Sequence, residues 1–241
     1  MTCALAAVFR GVPDQIALEE LSVPNPRGRE ILVRVAGCTL CGSDLHSFEG
    51  RRSVPVPTIL GHEIVGEIIE FGDDASRADL AGQPLQVGDR VTWAIVAHCG
   101  DCFYCRRDLP QKCLHAVKYG HEAFRPGYEL LGGLAEFCLL VAGTSIVKLP
   151  HELPLSVACP ASCTTATVAA ALEAAGDLRD RNLCIFGAGM LGLSACAMAR
   201  SLEAAEVVCV DPQETRRQRA LMFGATRAVA PDELSEISRD R

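Results

Sequence analysis

Apolar and polar residues alternate along the first 36 positions in the two-residue rhythm of strands, in the runs Ala4–Phe9, Ile16–Leu21 and Ile31–Val35. Pro24, Asn25, Pro26 and Gly28 turn the chain before the third run. Ile64–Glu70 is another such run, Val87–Val91 turns into the next, and Gly132–Phe137 leads into more strand ending near Pro150. Short strands punctuated by Gly and Pro predict a small antiparallel, barrel-like β domain. After residue 150 the rhythm lengthens. Residues 151–176, rich in Ala and Leu, read as one long helix beginning near Pro160. From Asn182 the order is strand, glycine turn, helix, strand, helix, the alternation of a parallel α/β sheet. The expected fold class is thus α/β plus β, divided into residues 1–150 and 151–241. Leu153–Leu172 and Leu183–Ala199 carry no charge, but prolines break the first and glycines the second. Both read as buried soluble elements, and no membrane is expected.

Composition narrows the partners. With 23 Lys and Arg against 30 Asp and Glu, the chain is moderately acidic and lacks a basic tract, which argues against nucleic acid. The opening MTCALAAVFRG has no positively charged leader and its apolar run is cut by Arg10, so no signal peptide is read. Thirteen cysteines without an export signal fit a reducing, cytoplasmic setting and metal ligation better than a disulfide scaffold.

Those cysteines are clustered. Cys99, Cys102, Cys105 and Cys113 stand as C-x2-C-x2-C-x7-C. Four thiolates on one short loop, with Gly100 allowing the turn, can wrap a tetrahedral ion and leave no open position, the pattern of a structural zinc. An iron–sulfur cluster is the other metal reading, and paired disulfides fit such close spacing poorly. A second stretch, CGSDLHSFEGRRSVPVPTILGHE, brings Cys41, Ser43, Asp44, His46, His62 and Glu63 near one another in sequence. Thiolate with imidazole is a donor set that zinc selects, and catalytic zinc keeps three protein ligands and one open position.

The third signal is a glycine turn. Asn182–Phe186 runs into Gly187-Ala188-Gly189-Met190-Leu191-Gly192 and a helix, and a second strand, Val207–Val210, ends in Asp211. There Gly187 makes the turn, Gly189 admits a pyrophosphate close to the backbone, and Gly192 lets the helix pack on the strand. The helix start, Met190 and Leu191 included, offers N–H groups to phosphate. Asp211 suits both ribose hydroxyls and repels a 2′-phosphate, which favours NAD, while Arg216 and Arg217 keep NADP as the alternative.

The cysteine lobe, the Cys41…Gly61-His62-Glu63 stretch and the glycine fingerprint occur in the order found in zinc-dependent medium-chain alcohol dehydrogenases, which the chain resembles over essentially its whole length. TLCGSDLHSFEGRRSVPVPTILGHEIVGE and Lys118-Tyr119-Gly120-His121-Glu122 look closest to the subgroup associated with phosphonate catabolism. The resemblance implies a GroES-like catalytic domain followed by a Rossmann NAD-binding domain. It also implies a catalytic zinc on Cys41, His62 and Cys163. Cys159 competes for the third place, but the Thr164–Thr167 sequence that follows favours Cys163, and Thr167 itself joins the cofactor-side residues. By the same resemblance Glu63 is an outer group or alternate ligand, Asp44 fixes the His62 tautomer, and Ser43 with His46 passes the substrate proton to solvent.

The implied activity is hydride transfer between a small alcohol or aldehyde and NAD, with two zinc ions per chain. Arg51 and Arg52 are candidates to meet an anionic phosphonate or phosphate group, and Tyr119 and His121 are further pocket candidates. A threonine- or polyol-dehydrogenase-like enzyme and a zinc-binding fragment without activity are the alternatives. The chain departs from the family in its last part, where only Leu183–Phe186, Val207–Val210 and Arg227–Val229 read as Rossmann strands. A six-stranded sheet needs three more units at about 30 residues each. The expectation is a truncated sheet with impaired turnover, and a homo-oligomer for a full-length form.

Overall fold

The early alternation becomes antiparallel sheet in the computed structural model, which describes residues 2–234. In chain order the strands and helices of the first part are β1 (Cys3–Phe9), β2 (Ala17–Ser22), β3 (Ile31–Thr39), α1 (Gly42–Phe48), β4 (Thr58–Ile59) and β5 (Glu63–Phe71). There follow β6 (Arg90–Trp93), β7 (Val96–Ala97), β8 (Val117–Lys118), β9 (Phe137–Leu140), β10 (Ile146–Lys148) and α2 (Leu155–Ala158). Three antiparallel sheets result, ordered β2-β1-β4, β10-β6-β5-β3-β9 and β7-β8. The largest is centred on β5 and β3, where Val33, Val65, Ile68 and Val91 are wholly buried. Such β-branched residues fit a pleated, packed surface. A register shift between Val35 and Gly37 interrupts the β3–β5 pairing just before the chain leaves β3 for α1.

The later part carries α3 (Thr164–Ala175), β11 (Asn182–Phe186), α4 (Met190–Ser201), β12 (Glu206–Val210), α5 (Glu214–Met222) and β13 (Arg227–Val229). The three strands are parallel, in the order β11-β12-β13. β12 is a nearly continuous apolar run, as expected of a strand covered on both faces. α4 buries Gly192, Cys196 and Ala199, spaced at helical intervals, against a cluster that includes Val207 and Cys209.

The single helix read from near Pro160 is not one element. α2 is followed by a 3-10 turn over Cys159–Ser162, and α3 starts only at Thr164. The break is local: Cys163, at φ −113° and ψ −80°, leaves the helical region. Val65, Leu149, Ala158 and Cys159 share one apolar cluster, which ties this segment to β5. The chain accordingly divides into two compact units after Cys163, thirteen residues beyond the change in composition. Among the described residues no single helix is long and apolar enough to cross a membrane, and all thirteen cysteines are free thiols.

Candidate metal centres and nucleotide turn

The cysteine lobe lies between β7 and β8. Its sulfurs sit 3.5 Å apart for Cys102–Cys105 and Cys113–Cys99, and 4.0 Å apart for Cys99–Cys105 and Cys102–Cys113. A tetrahedron with Zn–S bonds of about 2.3 Å has edges of about 3.8 Å, so the four thiols already have the dimensions of a zinc cage. Backbone N–H groups of Cys102, Cys99 and His115 point at the sulfurs of Cys99, Cys113 and Cys113 at 3.3–3.4 Å. Such N–H groups, led by those of Cys105 and Cys99 respectively, hold the Cys102 and Cys113 thiols below their ordinary pKa.

The second centre is assembled from three segments. Cys41 caps the start of α1, His62 directly precedes β5 and Glu63 opens it, and Cys163 ends the 3-10 turn. One donor atom from each of Cys41, His62, Glu63 and Cys163 lies within 4.8 Å of the other three. Cys159 is absent from this group. It is buried near Gly37, its sulfur 3.1 Å from where a side chain on that glycine would begin.

Asp44 organises the cluster. One carboxylate oxygen accepts the N–H of Cys41 at 3.0 Å, and the other accepts that of Gly61 at 3.2 Å and faces Nδ1 of His62 at 3.0 Å. A carboxylate only accepts, so Nδ1 carries the hydrogen and Nε2 is left for another partner. Burial pushes the Asp44 carboxyl up, but His62 and the two N–H groups outweigh it and hold the carboxyl below its usual range. Burial likewise lowers His62, yet Asp44 and Cys163 raise it to about 10. Surroundings negative enough to keep a proton on a buried imidazole also suit a metal cation, so the donor set fits zinc. Two residues missed in the sequence support the centre. Thr39 donates its hydroxyl to Glu63 at 2.6 Å, and Ser162 donates to the His62 carbonyl at 3.4 Å. Neither has a local sequence signature, because each lies far along the chain from its partner.

The other candidates separate. Ser43 is half-buried and close enough to Cys41 that its N–H and hydroxyl draw that thiol down against the effect of burial, while His46 is exposed. Tyr119 is no pocket residue. It is wholly buried, its hydroxyl 2.6 Å from that of Thr144 and accepting the Val141 N–H at 2.9 Å. His121 is half-buried with its ring 5.2 Å from that of His62, and Nδ1 donates to the Tyr119 carbonyl at 3.0 Å. Arg51 and Arg52 are exposed, and Arg51 pairs with Glu49.

In the second unit Gly187 has φ +95°, a conformation that glycine adopts freely, and Gly189 caps α4. Met190 and Leu191 are exposed on the first turn of α4, and Thr167 is exposed on α3. Asp211 is buried and turned inward: one oxygen accepts the Ala188 N–H and the other the Gln213 N–H, each at 2.8 Å. Those two N–H groups, Ala188 first, hold its carboxyl below the usual range. Arg216 lies 4.0 Å from the carboxylate, and Arg217 bonds the Asp211 carbonyl at 2.9 Å.

Residues 27–151 match the alcohol dehydrogenase GroES-like domain family. Geraniol dehydrogenase from Castellaniella defragrans is 34% identical over 244 residues, which cover 95% of this chain. An L-threonine 3-dehydrogenase from Coxiella burnetii is 33% identical over 216 residues, or 88% of this chain. The chain spans only 63% and 58% of the lengths of these two enzymes. The crystal structure of an alcohol dehydrogenase from Thermotoga maritima superposes with a TM-score of 0.89 at 29% identity, over 99% of this chain and 66% of that one. The matched domain takes in more than half of the chain, and the chain belongs to the zinc-dependent medium-chain alcohol dehydrogenases.

Proposed function

We propose that this chain carries the site of a zinc- and NAD-dependent oxidoreductase that interconverts a small alcohol and its aldehyde or ketone. The convergence of Cys41, His62, Glu63 and Cys163 from three separate segments carries this reading. Cys41, Cys163 and Nε2 of His62 would hold the catalytic zinc, with Glu63 in reach as an alternate ligand. Zinc there supplies Lewis acidity, the property that takes water from a pKa of 15.7 to about 7. Asp44 keeps the His62 ring oriented and Nδ1 protonated. Ser43 accepts the proton that the substrate hydroxyl loses, and exposed His46 hands it to solvent. The four lobe thiols would hold a second zinc that braces the loop between β7 and β8. The glycine turn and the start of α4 receive the pyrophosphate, and the carboxylate at the end of β12 disfavours a 2′-phosphate, so NAD is the cofactor. Thirteen free thiols support a reducing, cytoplasmic setting.

The relatives' names, geraniol and L-threonine dehydrogenase, describe different substrates at nearly equal identity. Arg51 and Arg52 are exposed between His46 and His62 and are the candidates to meet an anionic group on the substrate. Metal analysis and nucleotide titration test the reading. Two zinc ions per wild-type chain, one in Cys41→Ser, and tighter binding of NAD than NADP are expected. One zinc in both proteins removes the catalytic centre from the proposal. A panel of geraniol, L-threonine and phosphonate-bearing aldehydes, followed by NADH absorbance, then separates the substrates.

A further inference from the structure

Asp211 was expected to meet the cofactor ribose, yet its carboxylate is engaged within the fold. It is 2% exposed, and its two oxygens accept the N–H groups of Ala188 and Gln213 at 2.8 Å each. Ala188 is itself buried and stands inside the Gly187–Gly189 turn. The preceding N–H, that of Gly187, is bonded to the Val210 carbonyl, also at 2.8 Å. The first two N–H groups after β11 are therefore both tied to the end of β12. Gln213, the other residue held by Asp211, is the cap of α5. One buried carboxylate thus joins the turn that faces the pyrophosphate to the turn that starts the next helix. Without it the Ala188 N–H would be a buried donor with no acceptor, and the turn would pay to keep its shape.

We propose that Asp211 is a positioning residue for the nucleotide: it presets the glycine turn for pyrophosphate, independently of any contact with ribose. The proposal rests on the nucleotide reading above and goes beyond it, because it assigns the carboxylate work to be done before a ligand arrives. Arg217, which donates to the carbonyls of Asp211 and Pro212 at 2.9 and 3.0 Å, holds the same backbone from the other side. A carboxylate suits this place better than an amide. Asparagine offers one acceptor oxygen to two N–H donors and presents an NH2 group to the second.

The test uses the full chain and a nucleotide without ribose hydroxyls, 2′,3′-dideoxyadenosine 5′-diphosphate. Asp211→Asn is expected to weaken its binding at least tenfold. In the nucleotide-free protein the exchange of the Ala188 amide hydrogen should rise at least tenfold, read by NMR, while core amides such as Val207 hold. The direction is diagnostic, since removing a negative charge near a diphosphate would by itself tighten binding. Unchanged or tighter binding of the dideoxy nucleotide, or unchanged Ala188 exchange, overturns the proposal. Should Asp211→Asn fail to fold, Asp211→Ser, which keeps one acceptor, is measured in the same way. If the wild-type chain binds no nucleotide, the cofactor reading falls, and Ala188 exchange alone decides whether Asp211 holds the turn.

Discussion

Replacing the glycines of the β11–α4 turn by alanine, one at a time, separates their roles. At Gly192 an added Cβ would lie 1.8 Å from the carbonyl oxygen of Gly187 and 2.9 Å from its carbon, where ordinary contact begins near 3.4 Å. Both neighbours are backbone, so no side-chain rotation relieves the clash, and α4 must retreat from β11. Overpacking typically costs about 1–3 kcal/mol, and a fixed backbone obstacle puts this case near about 3. At about 4–8 °C per kcal/mol for a unit of this size, the melting temperature of the second unit should fall by roughly 12–24 °C. Gly189 differs, because its Cβ would meet nothing within 4 Å and its φ is −78°. Alanine there loses a little as a helix cap and gains a little from a stiffer unfolded chain, for a net change within about 1 kcal/mol. It does, however, fill the approach that a pyrophosphate needs. Calorimetry with and without ADP should show Gly192→Ala melting early in both conditions, and Gly189→Ala melting normally but losing the ADP-induced rise. Equal melting temperatures for the two variants without nucleotide would refute this division of labour.

Three other perturbations follow from the described contacts. Asp44→Asn leaves one acceptor oxygen for three donors, so zinc at the Cys41–His62–Cys163 centre should bind about 10–100-fold more weakly. Chelator competition checks this, and an equal loss at the cysteine lobe would contradict it. Tyr119→Phe strands the buried Val141 N–H and should cost about 1–3 kcal/mol in urea unfolding without altering zinc content. An unmoved midpoint counts against that role. For Asp89, burial pushes the carboxyl up, but Lys148 at 2.7 Å and the Gln86 N–H outweigh it and hold the carboxyl below its usual value. A folded pKa below the unfolded one means that the unfolded chain binds more protons, so this stability is complete above about pH 3.9 and is lost as pH falls through the folded value. In metal-free protein the urea midpoint of Asp89→Asn should therefore fall less between pH 5 and pH 3 than that of wild type, and parallel losses would exclude the pair.

What the sequence revealed was whatever is local along the chain. Cys99 to Cys113 announce a cage because all four donors lie on one loop, and the glycine turn shows because strand, turn and helix are contiguous. Strand rhythm places β1, β3 and β5 to within a few residues. The choice between Cys163 and Cys159 leaned on resemblance, because both stand in the same short apolar segment. Only the 3-10 turn, which sends Cys159 towards β5 and Cys163 towards His62, separates them. That turn also breaks the helix reading, because Cys163 leaves the helical region before α3 begins at Thr164. Tyr119 looked like a pocket residue from its neighbours in sequence, yet its partners Thr144 and Val141 lie more than twenty residues away. The inward bonds of Asp211 were hidden for the same reason: the acceptor and the Ala188 donor sit on different strand ends.

The Asp44 carboxylate has one more consequence. It clamps the α1 start to Gly61 and His62 through protein atoms alone, so two arms of the cradle are cut to shape before any ion arrives. A metal taken up at that centre would meet arms that are already joined to each other. At the lobe the four thiols lie on a single loop, where backbone N–H groups of Cys99, Cys102 and His115 already point at the sulfurs.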